Sequence, residues 1–198
     1  MNTPIDIHTP HHPRVGTRTA LGHAGQLAGL ASLCWLGVGI FGVWDVASDE
    51  GGEGSRYVLF SIALLLAAVL TLAAAESCTR ATERVALRWC GLGIGVLAVA
   101  STLVAWASPL WMTLLAISLA VLAVAAPPDM RAGLATVSAA HVVGILVTVA
   151  GIEAEVGRQD SYGDYPAAAG LGVCAAAVGS ALGMALLFRA ARTRESER

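Results

Sequence analysis

Six uncharged apolar runs, each close to the length of a bilayer crossing, dominate the chain. They cover residues 24–44, 57–75, 89–107, 109–126, 132–152 and 165–188. A hydrocarbon core about 30 Å thick requires about 20 helical residues, and backbone polar groups inside it must be satisfied within the segment. The runs therefore predict an all-α, polytopic integral membrane bundle of six transmembrane helices.

The composition agrees with a chain that lies almost entirely in a membrane. Hydrophobic residues make up 56% and charged residues 13% of the 198 residues. The spans leave a polar N-terminal tail at 1–21 and a C-terminal tail at 191–198, on either side of a transmembrane domain at 22–190. No soluble catalytic or binding domain fits between them. All twelve basic residues are arginine, which is typical of a GC-rich bacterial genome.

The arginines predict the orientation of the bundle. Lysine and arginine in short loops mark the cytoplasmic side of a membrane protein. One side of the predicted bundle carries only Arg56 and Arg158 beside eight acidic residues. Both termini are therefore predicted to be cytoplasmic, in a bacterial plasma membrane. The other ten arginines all fall on the side of the termini: Arg14, Arg18, Arg80, Arg84, Arg88, Arg131, Arg189, Arg192, Arg194 and Arg198.

Aromatic residues near the span ends support the same orientation. Trp and Tyr are enriched where a membrane meets water. An aromatic belt is predicted on the outer side, formed by Trp44, Tyr57, Trp106, Trp111 and Tyr165.

Prolines predict where several spans begin and end. A serine cap at Ser108 with Pro109 at the first helical position indicates the start of the fourth span. Pro127 and Pro128 are predicted to close that span, and Pro166 to open the sixth.

Three glycine pairs are candidates for close helix packing. Small residues four positions apart lie on one helix face and let two helices approach closely in a membrane. The alternative is that glycine is simply common in such helices. The pairs are Gly25 with Gly29, Gly91 with Gly95, and Gly179 with Gly183.

His141 is the main candidate for chemistry inside the bundle. It lies near the middle of the fifth span, and ionisable residues at that depth are usually functional. It could relay protons or bind a metal, or it could be a neutral, hydrogen-bonded packing residue. Cys34 and Cys174 lie at a similar depth and would complete a soft-ligand site for copper or zinc. No two of the three share a helix, so the spacing does not itself indicate a metal.

The acidic outer loops are a second candidate site. Asp45 follows the first span, and Glu153 and Glu155 end the fifth. If the two hairpins are neighbours, these carboxylates would form an outer cation site. The alternative is a set of solvated loop residues.

No motif of a known enzyme class is present in the sequence, including a phosphate-binding loop, a zinc-protease helix, a serine nucleophile turn and a C-x-x-C pair. The chain is therefore predicted to be a non-enzymatic accessory subunit or a small permease-like component. The alternative is a small membrane enzyme or a metal or redox protein that uses His141 or the outer carboxylates. The predicted partners are the lipid bilayer and either other membrane subunits or a second copy docked through Gly179 and Gly183. No nucleic-acid partner is predicted, and no cofactor is identified.

Overall fold

The computed structural model of the chain describes residues 15–47, 54–80, 82–104, 109–156 and 165–197. Side chains are described for 22–43, 59–80, 82–103, 109–154, 170–194 and 196–197. The described residues form six helices: α1 (Val15–Ala47), α2 (Gly54–Thr79), α3 (Val85–Val104), α4 (Leu110–Ala125), α5 (Pro128–Val156) and α6 (Tyr165–Ser196).

The prediction of an all-helical chain with six helices is confirmed. Five of the six, all except α4, are long and apolar enough to cross a membrane. The exception, α4, is apolar but has only 16 residues. At 1.5 Å per residue it is about 24 Å long, which is shorter than a hydrocarbon core of about 30 Å.

Five of the six helices extend beyond the apolar runs that predicted them, and two of these, α1 and α6, reach into the segments assigned to the tails. The first helix begins at Val15, inside the segment assigned to the N-terminal tail. The last continues to Ser196, inside the segment assigned to the C-terminal tail. The end of α6 is rich in alanine and arginine, which are strong helix formers. Helix propensity therefore carries this helix past the end of its apolar run.

The prolines act differently from the prediction at two boundaries. Pro128 was predicted to close the fourth span, but it is the first residue of α5. Proline is favoured at the first helical position, where its missing N–H costs no hydrogen bond. Ala126 ends α4 instead, in an extended conformation. Pro109 is the residue before α4 and not its first helical residue, and the predicted cap Ser108 lies outside the described residues.

Neighbouring helices run antiparallel and close into a ring. The hydroxyl of Ser32 in α1 donates to the carbonyl of Ala181 in α6, and Gly25 lies against Ala191. The most extensive helix pair is α5 with α6, and α6 also packs along α1. The second helix, α2, packs against α1 and α3, while α4 packs against α3 and α5. The first and last helices are therefore neighbours.

Large side chains fill the middle of this ring. His141 and two indole rings are completely buried there. The outer surface is apolar as well, as expected of helices in contact with lipid: Ile40 is 71% exposed and Leu103 is 70% exposed. The other large, fully buried side chains are Leu64, Met112, Leu115, Leu119, Leu122, Met130, Leu134, Met184 and Leu187.

Candidate functional site

His141 lies in the interior of the ring, on α5, with its side chain completely buried. Its Nδ1 is 2.8 Å from the carbonyl oxygen of Val137, one turn earlier. A carbonyl can only accept a hydrogen bond, so Nδ1 carries the proton and donates it. The hydroxyl oxygen of Ser180 in α6 is 3.4 Å from the same nitrogen. In the neutral ring Nε2 is then an acceptor, and it has no hydrogen-bond partner among the described residues.

Two tryptophans from other helices enclose the imidazole. The ring centroid of Trp35 in α1 is 5.4 Å away, and that of Trp111 in α4 is 5.8 Å away. Both indoles meet the imidazole nearly at right angles, which is a favourable arrangement for aromatic pairs. Trp111 was predicted to lie in the outer aromatic belt, and this is wrong, because its side chain is completely buried. The other four predicted belt side chains lie outside those described.

Trp35 links this cluster to α2 through a short chain of hydrogen bonds. Its indole Nε1 donates to the hydroxyl oxygen of Thr71 at 2.9 Å. That hydroxyl in turn donates to the carbonyl of Ala67 at 2.8 Å. Three helices and Ser180 of a fourth therefore contribute polar or aromatic groups around His141. We call His141, Trp35, Trp111, Ser180 and Thr71 the His141 cluster.

Serines connect adjacent helices elsewhere in the interior. The Ser118 hydroxyl of α4 donates to the carbonyl of Gly91 in α3 at 2.7 Å. The Ser138 hydroxyl of α5 donates to the carbonyl of Ala116 in α4 at 2.8 Å. Such hydrogen bonds stabilise helix association in membranes by about 0.6 kcal/mol each. These hydroxyls are satisfied by backbone and are not directed into a common site.

The two cysteine candidates lie apart from the contacts of His141. The Cys174 thiol donates to the carbonyl of Gly39 in α1 at 3.8 Å. Cys34 is half-buried and packs against the apolar core. Among the residues with described side chains, no group of three His, Cys, Asp or Glu is placed to hold a metal ion. His141 is therefore not part of a metal-binding group among the described side chains, and its Nε2 has no hydrogen-bond partner there.

The outer carboxylates are described only in part. Glu153 is exposed near the end of α5. The side chains of Asp45 and Glu155 lie outside those described. Of the three carboxylates of the predicted outer cation site, the structure therefore describes the side chain of Glu153 alone.

The six candidate packing glycines all face other helices within the chain. Gly25 and Gly29 lie against Ala191 and Phe188 of α6, where an added Cβ would make ordinary contacts at 3.4 and 3.5 Å. A Cβ on Gly91 would lie 2.7 Å from the Leu122 side chain.

The other three glycines also lie close to their neighbours. A Cβ on Gly95 would lie 2.5 Å from the Leu72 side chain. A Cβ on Gly179 would lie 2.5 Å from Ala140, and one on Gly183 would lie 2.8 Å from the carbonyl oxygen of Gly133. A homodimer through Gly179 and Gly183 would therefore have to displace α5 from α6.

The closest backbone approach involves glycines that the sequence analysis did not single out. A Cβ on Gly172 of α6 would overlap the Thr148 hydroxyl and lie 2.6 Å from the carbonyl oxygen of Gly144. The available signal was a row of mostly small residues along α5 at spacings of three and four: Gly133, Val137, Ala140, Gly144 and Thr148. The row follows one face of the helix, which is the face that α6 covers.

Ion pairs and arginine hydrogen bonds connect the helix ends at one end of the ring. Glu76 accepts from Arg80 at 2.9 Å and from Arg88 at 2.6 Å. Its hydrogen bonds and negative charge raise the pKa of the exposed Arg80 guanidinium. Asp129 of α5 pairs with Arg194 of α6. We call this the arginine-rich end.

Two further arginines hold the end of the shortest helix. The guanidinium of Arg84 donates to the carbonyl of Val124 at 2.7 Å, and that of Arg131 donates to the carbonyl of Ala126 at 3.0 Å. The last carbonyls of a helix lack partners within it and carry its partial negative charge. Arginines from the two flanking segments therefore satisfy the C-terminal end of α4.

Sequence reasoning located His141 but not the residues around it. Trp35 gave one signal, because it lies in the middle of a span and not at the interface where tryptophan is usual. Trp111 gave none, because its place near a span end fits the aromatic belt equally well. Comparison with known proteins gives no match for the chain among family models, curated proteins or solved structures. The cluster is therefore interpreted from its own chemistry.

Proposed function

We propose that the protein is a non-enzymatic accessory subunit of a bacterial plasma membrane that acts through helix contacts with other membrane subunits. The observation that carries this proposal is the filled interior of the ring. Trp35 and Trp111 enclose His141, and leucine and methionine side chains occupy the layers around it. A water-filled path is normally lined by polar or ionisable residues, and a catalytic site needs several groups directed at one point.

A second candidate is a small permease-like component, and one observation favours it. The Nε2 of His141 is buried without a partner among the described residues, and burying a polar group in this way is costly. A transported proton or a small hydrogen-bond donor would satisfy this nitrogen. The candidate requires the two indoles to move apart during transport, because they enclose the ring in this conformation.

Flux through reconstituted protein distinguishes the two candidates. Proteoliposomes with an internal pH-sensitive dye and a valinomycin-imposed potassium potential are compared with protein-free vesicles. The accessory-subunit proposal expects equal proton leakage in both. Saturable flux that disappears in His141→Leu but persists in the surface variant Leu103→Ala would overturn it and establish the permease-like candidate. Native mass spectrometry of the protein extracted from the membrane with a polymer tests the accessory-subunit proposal separately. The proposal expects a second polypeptide in fixed ratio to the 20.2 kDa chain.

The orientation is a separate proposal, with all six helices crossing the membrane and both termini in the cytoplasm. Antiparallel packing puts the α2–α3 connection, the α4–α5 connection and the end of α6 together at the arginine-rich end. Arginine retained on the cytoplasmic side explains that grouping. The C-terminal end of α4 is held at the arginine-rich end by Arg84 and Arg131. Its other end lies beside the middle of α5, where Met112 approaches Gly144, so the crossing by α4 is proposed from its apolar sequence and its antiparallel packing.

Fusion reporters test this orientation directly. Green fluorescent protein joined after Arg198 is expected to fluoresce, and alkaline phosphatase at the same place is expected to be inactive, since the phosphatase folds only outside the cytoplasm. Phosphatase placed within 157–164 is expected to be active. Active phosphatase after Arg198 with inactive phosphatase within 157–164 would show that the bundle is inverted.

A further inference from the structure

A groove of about 620 Å³ runs along the outer surface between α1 and α6. Gln26, Gly29, Leu30 and Leu33 line it from α1, and Ala185 and Phe188 line it from α6. Leu30 and Leu33 are more than half exposed, so the groove is open to the surroundings of the bundle. Gly29 lies at the floor of the groove beside the Phe188 ring, and a Cβ there would lie 3.5 Å from that ring, so a larger side chain at this position would enter the groove.

The groove is apolar along its length. From Gln26 to Leu33 it follows α1 for seven residues, about 10 Å at 1.5 Å per residue. Ser32 also lines it, but its hydroxyl donates to the carbonyl of Ala181 at 2.9 Å and is already satisfied. A linear hydrocarbon chain fits a channel of this length and polarity.

Polar and cationic groups gather at one end of the groove. The Arg192 guanidinium lies over the Phe188 ring, 4.9 Å from its centroid, and so is held beside the groove. Arg189 is exposed and shares a face of α6 with Ala185 and Arg192, at spacings of four and three. On α1 the exposed Gln26 amide lies at the same end, because Gly25 packs against Ala191.

An apolar groove with guanidinium and amide donors at one end matches an amphiphile that has an acyl chain and an anionic headgroup. Guanidinium groups bind phosphate oxygens through paired hydrogen bonds, and basic pockets between transmembrane helices bind anionic lipid headgroups. A helix from another protein fits less well, since it would bury the Gln26 amide and the guanidiniums without assured partners. A zwitterionic lipid would place a second positive charge near Arg189 and Arg192.

We infer that the groove between α1 and α6 binds one anionic phospholipid, with an acyl chain along Leu30 and Leu33 and the phosphate at Arg192. Gln26 donates to the headgroup or to an ester carbonyl, and Arg189 adds charge at the entrance. This site is separate from the His141 cluster and does not depend on whether the protein is an accessory subunit or a permease.

Two variants and two matched controls test the inference. Arg192→Gln removes the cation at the groove, whereas Arg80→Gln removes an exposed cation at the same end of the bundle but directly after α2. Gly29→Leu fills the groove, whereas Gly37→Leu adds the same side chain on α1 where a Cβ would meet no atom within 4 Å. Thermal unfolding midpoints equal to that of the parent chain would show that all four variants are folded.

Native mass spectrometry of the detergent-solubilised chain measures the binding. Phosphatidylglycerol and phosphatidylcholine with identical acyl chains are added in parallel. We expect one phosphatidylglycerol to be retained at least about fivefold more tightly than phosphatidylcholine. Arg192→Gln should lower the affinity for phosphatidylglycerol about fivefold. Gly29→Leu should abolish retention, and both controls should bind like the parent chain.

Three results would overturn the inference. Equal retention of the two lipids would show that the groove does not select charge. Equal losses in Arg192→Gln and Arg80→Gln would place the effect in the general charge of the arginine-rich end. Full displacement of the lipid by inorganic phosphate would show that the anion binds without its acyl chain and that the apolar groove is not part of the site.

Discussion

Replacement of Gly172 by alanine is expected to destabilise the protein by about 1–3 kcal/mol, and replacement by leucine by more. A Cβ at this position would overlap the Thr148 hydroxyl and lie 2.6 Å from the carbonyl oxygen of Gly144. The side chain can turn away, but the backbone carbonyl cannot move without separating α5 from α6. The measurement is the midpoint of unfolding in detergent, followed by tryptophan fluorescence.

Gly93→Ala is the matched control for this prediction. A Cβ on Gly93 of α3 would meet no atom within 4 Å, so alanine there should be neutral or stabilising by up to about 1 kcal/mol. The double variant Gly172→Ala with Thr148→Ala should recover part of the loss, because it removes one of the two clashes. If Gly172→Ala unfolds at the same midpoint as Gly93→Ala, the close approach of α5 and α6 is incorrect.

His141→Ala and His141→Leu are expected to differ strongly in their effects on stability. Alanine leaves a cavity between Trp35 and Trp111 and should destabilise the protein by about 2–5 kcal/mol. Leucine fills much of the same space and removes a buried nitrogen that has no partner among the described residues. Replacing a polar group with an apolar group of similar shape can be neutral or stabilising, so His141→Leu is expected within about 1 kcal/mol of the parent chain.

The comparison tests whether His141 is needed for folding or for another purpose. The unfolding midpoint gives the stability, and near-ultraviolet circular dichroism reports the packing of the two indoles. A His141→Leu protein that is folded and as stable as the parent chain would show that the histidine is not needed for folding. If leucine destabilises as much as alanine does, the hydrogen bonds of Nδ1 to Val137 and Ser180 contribute to the fold.

The fold was predictable from the sequence because the bilayer restricts the choices. An apolar run near 20 residues long has to form a helix, so each of the six runs corresponds to a helix in the structure. The boundaries were harder to predict, because proline fits both the end of one helix and the start of the next. Pro128 took the second role. Helix length beyond the apolar run, as at the Ala- and Arg-rich end of α6, depends on local propensity and not on the membrane.

The arrangement of the helices was not predictable, because lipid-facing and buried surfaces have similar composition in a membrane protein. Spacing placed Gly179 and Gly183 on one face of α6, but nothing in the sequence stated that α5 covers that face. The same limit applies to the His141 cluster. Depth along the chain identified the histidine, while the enclosing tryptophans come from positions 106 and 30 residues away. Only the folded ring brings them together.

The contact between the first and last helices determines when the bundle can be completed during synthesis. The Ser32–Ala181 hydrogen bond joins residues 149 positions apart. Until α6 has been made, Gly25, Gly29 and Ser32, which contact α6 in the finished structure, lack that neighbour. The chain therefore has to hold its first helix in an unfinished assembly while the ribosome makes almost all of the rest. A release of the nascent chain before α6 would leave both α1 and α5 uncovered, which makes an incomplete product a natural target for membrane proteases.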